Sequence, residues 1–430
     1  MSTTSVFSEA NRVTAQPGST YITAISTQDR RFALGEGVGT DSIHQTPQYS
    51  YAVCVLKTTT SVEGIGLAFT LGAGNDLVCR AIDYLAQPLV GLDIEELMAD
   101  FGSMYRQMAD SPSLRWLGPQ KGVVQLALAA VVNACFDLWA KTRQVPLWKL
   151  LLDLSPEQLV NTLDLSYLEE VLNREQAIDL LTRAQATRAD RSGVLQTGYR
   201  GYDTSIGWFN YTDDQIIDNT KKAMARGFTA MKLKVGSDDP QRDLRRASLI
   251  RETAGESATI MLDANQRWNV PQALAICHQL SSINPFWIEE PTHPDDVQGH
   301  KAIADALAPF KVATGEHIPN KVIFKNFLQM GAMAFCQVDA VRVGGISEFL
   351  TISLLARHFG VPVVPHVGDM GQIHQHLVLF NHIAMDHENL FLEHIPHLRQ
   401  YFTQPALIVD GYYRVPQEPG SSSDLIVTCS

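Results

Sequence analysis

Seven charged residues recur through the second half of the chain at nearly constant intervals. Lys234, Asp263, Glu289, Glu316, Asp339, His366 and Glu393 are separated by 29, 26, 27, 23, 27 and 27 positions. Each closes a short apolar run, as in M-K-L-K, M-L-D, F-W-I-E, C-Q-V-D and V-V-P-H. An apolar run ended by a charge and then by Gly, Asn or Pro reads as a buried strand entering a loop. One strand, one helix and two loops fill such an interval, so the repeat predicts a (β/α) barrel. Barrel enzymes carry their chemistry at the C-terminal ends of the strands, where these seven residues would form a ring around one cavity. A single strand-end carboxylate is ordinarily a helix cap or a surface charge, but independent surface charges have no reason to keep phase. Glu289 and Glu290 cannot both face the cavity from a regular strand, because neighbouring side chains point to opposite sides.

A chain of 430 residues is longer than one average domain, and a barrel needs only about 250. The natural partition is an N-terminal extension over residues 1–19, an α+β domain over 20–158, the barrel over 159–395 and a C-terminal segment over 396–430. T-L-D-L-S, just after Asn161, is expected to be the first barrel strand, with Arg183 to Arg200 a basic excursion after it. In the first domain, Tyr51 to Lys57 and Val62 to Thr70 alternate as hairpin strands, followed by three helical stretches up to Leu151. The loop G-E-G-V-G-T-D-S lacks the strand–loop–helix setting that would make it a nucleotide cradle.

The net charge of −12 and the absence of a basic tract argue against nucleic-acid binding. The longest apolar stretch, Gly122 to Trp139, contains Gln125, Asn133 and Asp137 and suits a buried helix rather than a membrane span. The Ser/Thr-rich N-terminus has no apolar core like that of a secretory signal, and its single arginine speaks only weakly for a transit peptide. A cytoplasmic location is expected, with a mitochondrial one the weaker alternative. Six scattered cysteines without C-x-x-C spacing fit free thiols in a reducing compartment. The late histidines 374, 376, 382, 387, 394 and 397 give no zinc-binding spacing.

The segments K-L-K, D-A-N-Q-R-W, W-I-E-E-P-T, A-T-G-E-H, Q-V-D-A-V-R-V-G-G, P-H and L-E-H together resemble the enolase superfamily in its mandelate-racemase-like branch. Within it they are most similar to the sugar-acid dehydratases acting on L-fuconate and L-galactonate. The likeness runs from about Asp29 to about Pro419 and includes L-R-W-L-G-P-Q-K-G-V and A-V-V-N-A-C-F-D-L-W-A-K. It implies a modified (β/α)7β TIM barrel closed by an N-terminal α+β capping domain, with the C-terminal segment returning to that domain. It also implies that Asp41, in the Gly-rich loop, reads the distal end of the substrate, and that Glu393 bonds a substrate carboxylate oxygen. Asn265 and Arg267, in D-A-N-Q-R-W, are further substrate-binding candidates. The chain departs from the family at Asp203, where a Thr is usual, and in the loop V-G-D-M-G-Q-I-H-Q-H after His366, where Asp369 adds a negative charge. The tail P-G-S-S-S-D-L-I-V-T-C-S is also shorter and different.

The residue types point to one chemistry. Asp263, Glu289 and Glu316 offer hard oxygen ligands suited to Mg2+. Removing a proton next to a carboxylate builds a dianionic enediolate, which a cation stabilises. Lys234 is the candidate base, and Lys232, two residues earlier on the same strand face, would pair with the substrate carboxylate. Asp339 and His366 read as a dyad in which the carboxylate orients the imidazole. The expected activity is Mg2+-dependent dehydration of a small sugar acid, L-fuconate ahead of L-galactonate, by a homo-oligomer. Racemisation, cycloisomerisation and a catalytically inactive protein are the alternatives.

Overall fold

The structure, a computed structural model, describes residues 19–426. The disordered extension expected for residues 1–19 lies, except for Ser19, outside the described residues. An antiparallel sheet of β1 (Ile22–Arg31), β2 (Ser50–Thr58) and β3 (Gly64–Thr70) opens the chain. Helices Asn75–Leu85 and Gly122–Thr142 pack against this sheet. The second helix has the length and apolar composition of a membrane span, yet almost all of it is buried within the protein. It lies so close to β3 that a Cβ on Gly66 would meet the Ala130 carbonyl oxygen at 1.9 Å. The helical part of this domain is more broken than the three stretches expected, with further short helices at Ile94–Ala99, Phe101–Ala109 and Leu147–Asp153.

The second sheet curls into the barrel. Its strands are β4 (Tyr199–Gly207), β5 (Ala230–Lys234), β6 (Thr259–Asp263), β7 (Trp287–Glu289), β8 (Val312–Thr314), β9 (Phe335–Cys336) and β10 (Leu392–His394). β4 to β9 pair in sequence order, and β10 pairs in parallel with β4. The seventh strand position is held by one parallel bridge, Cys336 to Val363. Seven helices follow the first seven positions: Asp213–Ala225, Pro240–Ala254, Val270–Leu280, Val297–Leu307, Lys321–Met330, Gly345–His358 and Gln372–Met385. Side-chain caps start several of them, with reciprocal boxes at Thr212/Gln215 and Asn269/Gln272. Strands such as A-M-K-L-K are buried throughout, as expected for a parallel sheet covered on both faces. A short hairpin of β11 (Ile408–Val409) and β12 (Tyr412–Tyr413) extends the sheet antiparallel to β4.

The barrel does not begin with T-L-D-L-S. Residues 162–166 form a loop whose Leu163 packs under helix Phe101–Ala109, and Asp164 is neutralised there by buried Lys321. T-L-D-L-S alternates polar and apolar residues as a strand does, but five residues are too few for the alternation to distinguish a strand from a packed loop, and the capping helices claimed this one. The basic excursion takes in only the end of helix Arg174–Gln185 and two single turns, and the first barrel strand starts at Tyr199.

Three sets of contacts fix the first domain over the C-terminal ends of the strands. Ser42 Oγ donates to the Ala264 carbonyl at 2.8 Å, Tyr51 Oη to that of Gly368 at 3.2 Å, and Asn133 Nδ2 to that of Ala340 at 2.9 Å. The C-terminal segment packs back on the same domain. Ser421 Oγ bonds Asp137 at 2.8 Å, and Lys141 pairs with Asp424 at 2.8 Å.

Candidate active site

Strand register brings the first charged groups together. In the parallel ladder Lys234 lies beside Asp263, and Asp263 beside Glu289. Side chains at one level of adjacent strands share a face, so these three converge at the barrel mouth. Glu316 stands two residues beyond β8, after Gly315. A Cβ on Gly315 would meet the Gln337 carbonyl carbon at 2.4 Å, so only glycine lets the chain pass the next strand that closely. The ligand oxygens of Asp263, Glu289 and Glu316 all lie within 4.8 Å of one another, and all three residues are buried.

Two lysines thread this group. Lys232 Nζ lies 2.6 Å from Glu289, 2.8 Å from Glu393 and 3.6 Å from Asp263. Lys234 Nζ lies 2.5 Å from Asp263. Burial alone would lower the pKa of Lys234, but the carboxylates around it, Asp263 first and then Glu316 and Asp41, together outweigh it and hold the lysine protonated. The carboxylates split in opposite directions. Burial raises both, yet Asp263, flanked by two ammonium groups, ends below its ordinary value. Glu289 touches one ammonium group, that of Lys232, and has Asp263 as a repelling neighbour, so it ends above.

A divalent cation fits this donor set. Four buried carboxyl groups, those of Asp263, Glu289, Glu316 and Glu393, face two ammonium groups, an excess of two negative charges once Glu289 is ionised. Glu316 Oε2 is also buried without a hydrogen-bond partner. Because Glu289, its pKa raised to about 8, must lose a proton to become a ligand, Mg2+ binding is expected to weaken as pH falls below that value and to release a proton at neutral pH. Calorimetric titration in two buffers of different ionisation enthalpy measures that release, and a heat independent of both buffer and pH would contradict the assignment.

Across the cavity, His366 Nδ1 lies 2.6 Å from Asp339 Oδ2, and its Nε2 lies 3.5 Å from Glu316. Burial works against its charge, but Glu316 and the bonded Asp339 raise its pKa to about 9, making it an imidazolium at neutral pH. Asp339 also accepts the backbone N–H groups of Val341 at 2.8 Å and Gly368 at 2.9 Å. Glu393 accepts from Thr204 Oγ1 at 2.5 Å and leaves Oε2 unpartnered.

Lys234, Glu316, His366, Glu393, Asn265 and Asp41 all line one cavity. Asn265 Oδ1 is buried without a partner. Asp41 accepts the backbone N–H groups of Ile43 and His44 and bonds His44 Nδ1 at 2.9 Å. Arg267 is not brought there. Asn265 and Gln266 both have positive φ, at 46° and 60°, and this turn sends Arg267 outward to pair with exposed Asp238 at 2.7 Å. Asp203 also misses the cavity. It points away from it beside Thr204, where Arg226 and Ser205 hold it.

Sequence reasoning missed His44, His317 and Arg342, which also line the cavity. Their one signal was proximity: His317 follows Glu316, and Arg342 follows Asp339 within one turn. The alternation rule predicted that Glu290 would turn away, but the strand ends at Glu289. With φ at 42°, Glu290 instead places its carboxylate 2.9 Å from His317 Nδ1. The late histidines do not converge. His376 bonds Ser422, His387 bonds the Ser353 carbonyl and His397 accepts from Trp208. The five described cysteines are free and buried, and Cys429 lies outside the described residues.

A barrel whose strand ends carry three converging carboxylates, two lysines and an Asp–His dyad defines a class of enzyme built to remove a proton beside a carboxylate. Residues 38–151 match the mandelate racemase / muconate lactonizing enzyme N-terminal domain family, and residues 215–425 the enolase C-terminal domain-like family. Human mitochondrial enolase superfamily member 1 is 41% identical over 415 residues, covering 94% of this chain and 93% of that protein. Its crystal structure superposes with a TM-score of 0.92 at 40% identity, over 95% of each chain. L-galactonate dehydratase of Hypocrea jecorina is 40% identical over 413 residues, 94% of this chain and 92% of that protein. The crystal structure of L-talarate dehydratase from Polaromonas sp. JS666, complexed with Mg and L-glucarate, superposes with a TM-score of 0.72 at 25% identity over 95% of each chain. The chain belongs to the enolase superfamily, in its mandelate racemase / muconate lactonizing enzyme branch.

Proposed function

We propose that this protein is a Mg2+-dependent acid-sugar dehydratase that converts an aldonate into a 2-keto-3-deoxy acid. The observation that carries the reading is the pairing of a lysine and an Asp-bonded histidine in one cavity beside three converging carboxylates. Its relatives named as dehydratases of sugar acids support the choice of reaction. Mg2+ held by Asp263, Glu289 and Glu316 would neutralise the carboxylates that keep Lys234 protonated and stabilise the enediolate charge. Lys232 binds and orients the substrate carboxylate, and Glu393, ionised beside Lys232 in the free protein, takes up a proton as the substrate enters and donates it in a hydrogen bond to one carboxylate oxygen. Lys234, as free amine, takes the C2 proton and becomes ammonium. His366 gives its Nε2 proton to the C3 hydroxyl, which departs as water with the C3–O bonding pair, and the resulting enol takes a solvent proton at C3 as it becomes the ketone.

L-fuconate is the favoured substrate and L-galactonate the runner-up. The two share their configuration through C5 and differ by a hydroxyl at C6. Phe69, Leu71 and Ile395 give the cavity an apolar wall suited to the fuconate methyl group, and such a wall discriminates only weakly against an added hydroxyl. The test is formation of 2-keto-3-deoxy acid from L-fuconate, L-galactonate and D-gluconate, each with Mg2+ and with EDTA. Turnover of the first two with Mg2+ alone is expected. A kcat/KM on D-gluconate comparable to theirs overturns the substrate choice, and a C2 epimer formed without keto acid overturns dehydration itself.

A further inference from the structure

The loop after His366 carries two buried groups that this reaction does not use, Asp369 and His374. His374 Nδ1 lies 2.6 Å from Asp369 Oδ1, and its Nε2 lies 3.2 Å from Asp339 Oδ1. Asp339 Oδ2 in turn bonds His366. The four side chains form one file, Asp369–His374–Asp339–His366, alternating carboxylate and imidazole from the start of helix Gln372–Met385 to the cavity. Asp369 is anchored by the backbone N–H groups of Gly371 at 3.0 Å and Ile373 at 2.5 Å, where the helix dipole favours an anion. The His374 ring meets Phe349 edge-on, with centroids 5.8 Å apart.

The ionic state of His374 is set by competing neighbours. The Ala340 N–H lies 2.9 Å from Nε2, which suits a neutral ring, whereas the two carboxylates suit an imidazolium. Where water is excluded, two flanking anions outweigh one neutral donor, because an unbalanced buried carboxylate is far costlier than one unpaired N–H. Burial pulls the ring's pKa down, but Asp369 and then Asp339 raise it to about 10.

We propose that His374, clamped by Asp369, is a positioning residue for the dehydration, holding Asp339 so that His366 presents Nε2 to the departing hydroxyl. The inference rests on the proposed function. Without His374, Asp339 Oδ1 keeps only the Val341 N–H, and the carboxylate that orients His366 loses its second charged partner. The base on the other side of the cavity is untouched.

The test uses His374→Gln and Asp369→Asn with Mg2+ in deuterated water, on whichever of L-fuconate and L-galactonate the wild type turns over faster. Keto-acid release is expected to fall about 10- to 100-fold in kcat with KM unchanged. Deuterium uptake at C2 of recovered substrate should persist, because Lys234 is intact. Release and uptake falling in parallel would mark a merely structural role and overturn the proposal, as would a wild-type ratio of the two. If His374→Gln does not fold, the isosteric Asp369→Asn decides. The wild type should also show downfield imidazole N–H proton resonances from the His366–Asp339 and His374–Asp369 contacts, of which the second disappears in Asp369→Asn, and a downfield spectrum unchanged by that substitution contradicts the file. A wild type with both resonances that dehydrates no aldonate overturns the functional reading, and the role of His374 with it, on separate grounds.

Discussion

Lys234→Ala is expected to lose both turnover and exchange of the C2 hydrogen with solvent, each by more than about 10³-fold. Three observations place that burden on one amine. Lys234 ends β5 inside the cavity, whereas Lys232 is committed to Glu289 and Glu393 by contacts at 2.6 and 2.8 Å. His366 is held as an imidazolium by Glu316 and Asp339, so it has a proton to give rather than a free pair to accept one. The other basic groups lining the cavity are engaged elsewhere or are weakly basic carboxylates: Asp41 bonds His44, His317 bonds Glu290, Glu393 pairs with Lys232, and Glu316 is one of the three converging carboxylates. Substrate affinity should change little, because Lys232 and Glu393 remain. The measurement is proton NMR of substrate recovered from deuterated water, and wild-type exchange in the variant would remove Lys234 from the role of base.

The second large effect is expected at the carboxylates. Asp263→Ala should abolish turnover by more than about 10³-fold while leaving the fold standing. Asp263 sits at the strand end, above the layer of Tyr202, Met261, Trp287 and Phe335 that fills the barrel interior. The substitution removes the counter-ion of Lys234 and one of three convergent ligand oxygens, so binding of Mg2+ should weaken together with activity. Circular dichroism would report the fold and calorimetry the metal. Full activity in this variant, or in EDTA-treated wild type, would show that the reaction does not depend on the metal.

What the sequence reveals about this site follows from what a strand end fixes. Phase along a barrel strand is rigid, so Lys234, Asp263 and Glu289 can be placed on one face from spacing alone, and the ladder pairs them. Loops carry no such rule. Arg267 reads as a site residue four positions beyond Asp263, but two successive left-handed residues turn it to the surface. His44 reaches the cavity through long-range packing of the first domain on the barrel, which no local pattern encodes. Asp369 reads as an unwelcome negative charge near the acid. Folded, it is balanced by His374 five residues later, a pairing set by the turn into the last barrel helix. The alternating segment T-L-D-L-S carried a strand's pattern without a strand's surroundings, and the partner of its one charge, Lys321, lies 157 residues away.

The proposed function divides the labour between Lys234 and His366 on one carboxylate-held site, and a single incubation probes that division. His366→Asn, with Mg2+ and L-fuconate in deuterated water, should still place deuterium at C2 of recovered substrate while releasing little keto acid. Lys234 still removes the proton in this variant, but nothing protonates the leaving hydroxyl. Loss of deuterium uptake in His366→Asn, with uptake surviving in Lys234→Ala, would reverse the two roles and contradict the account.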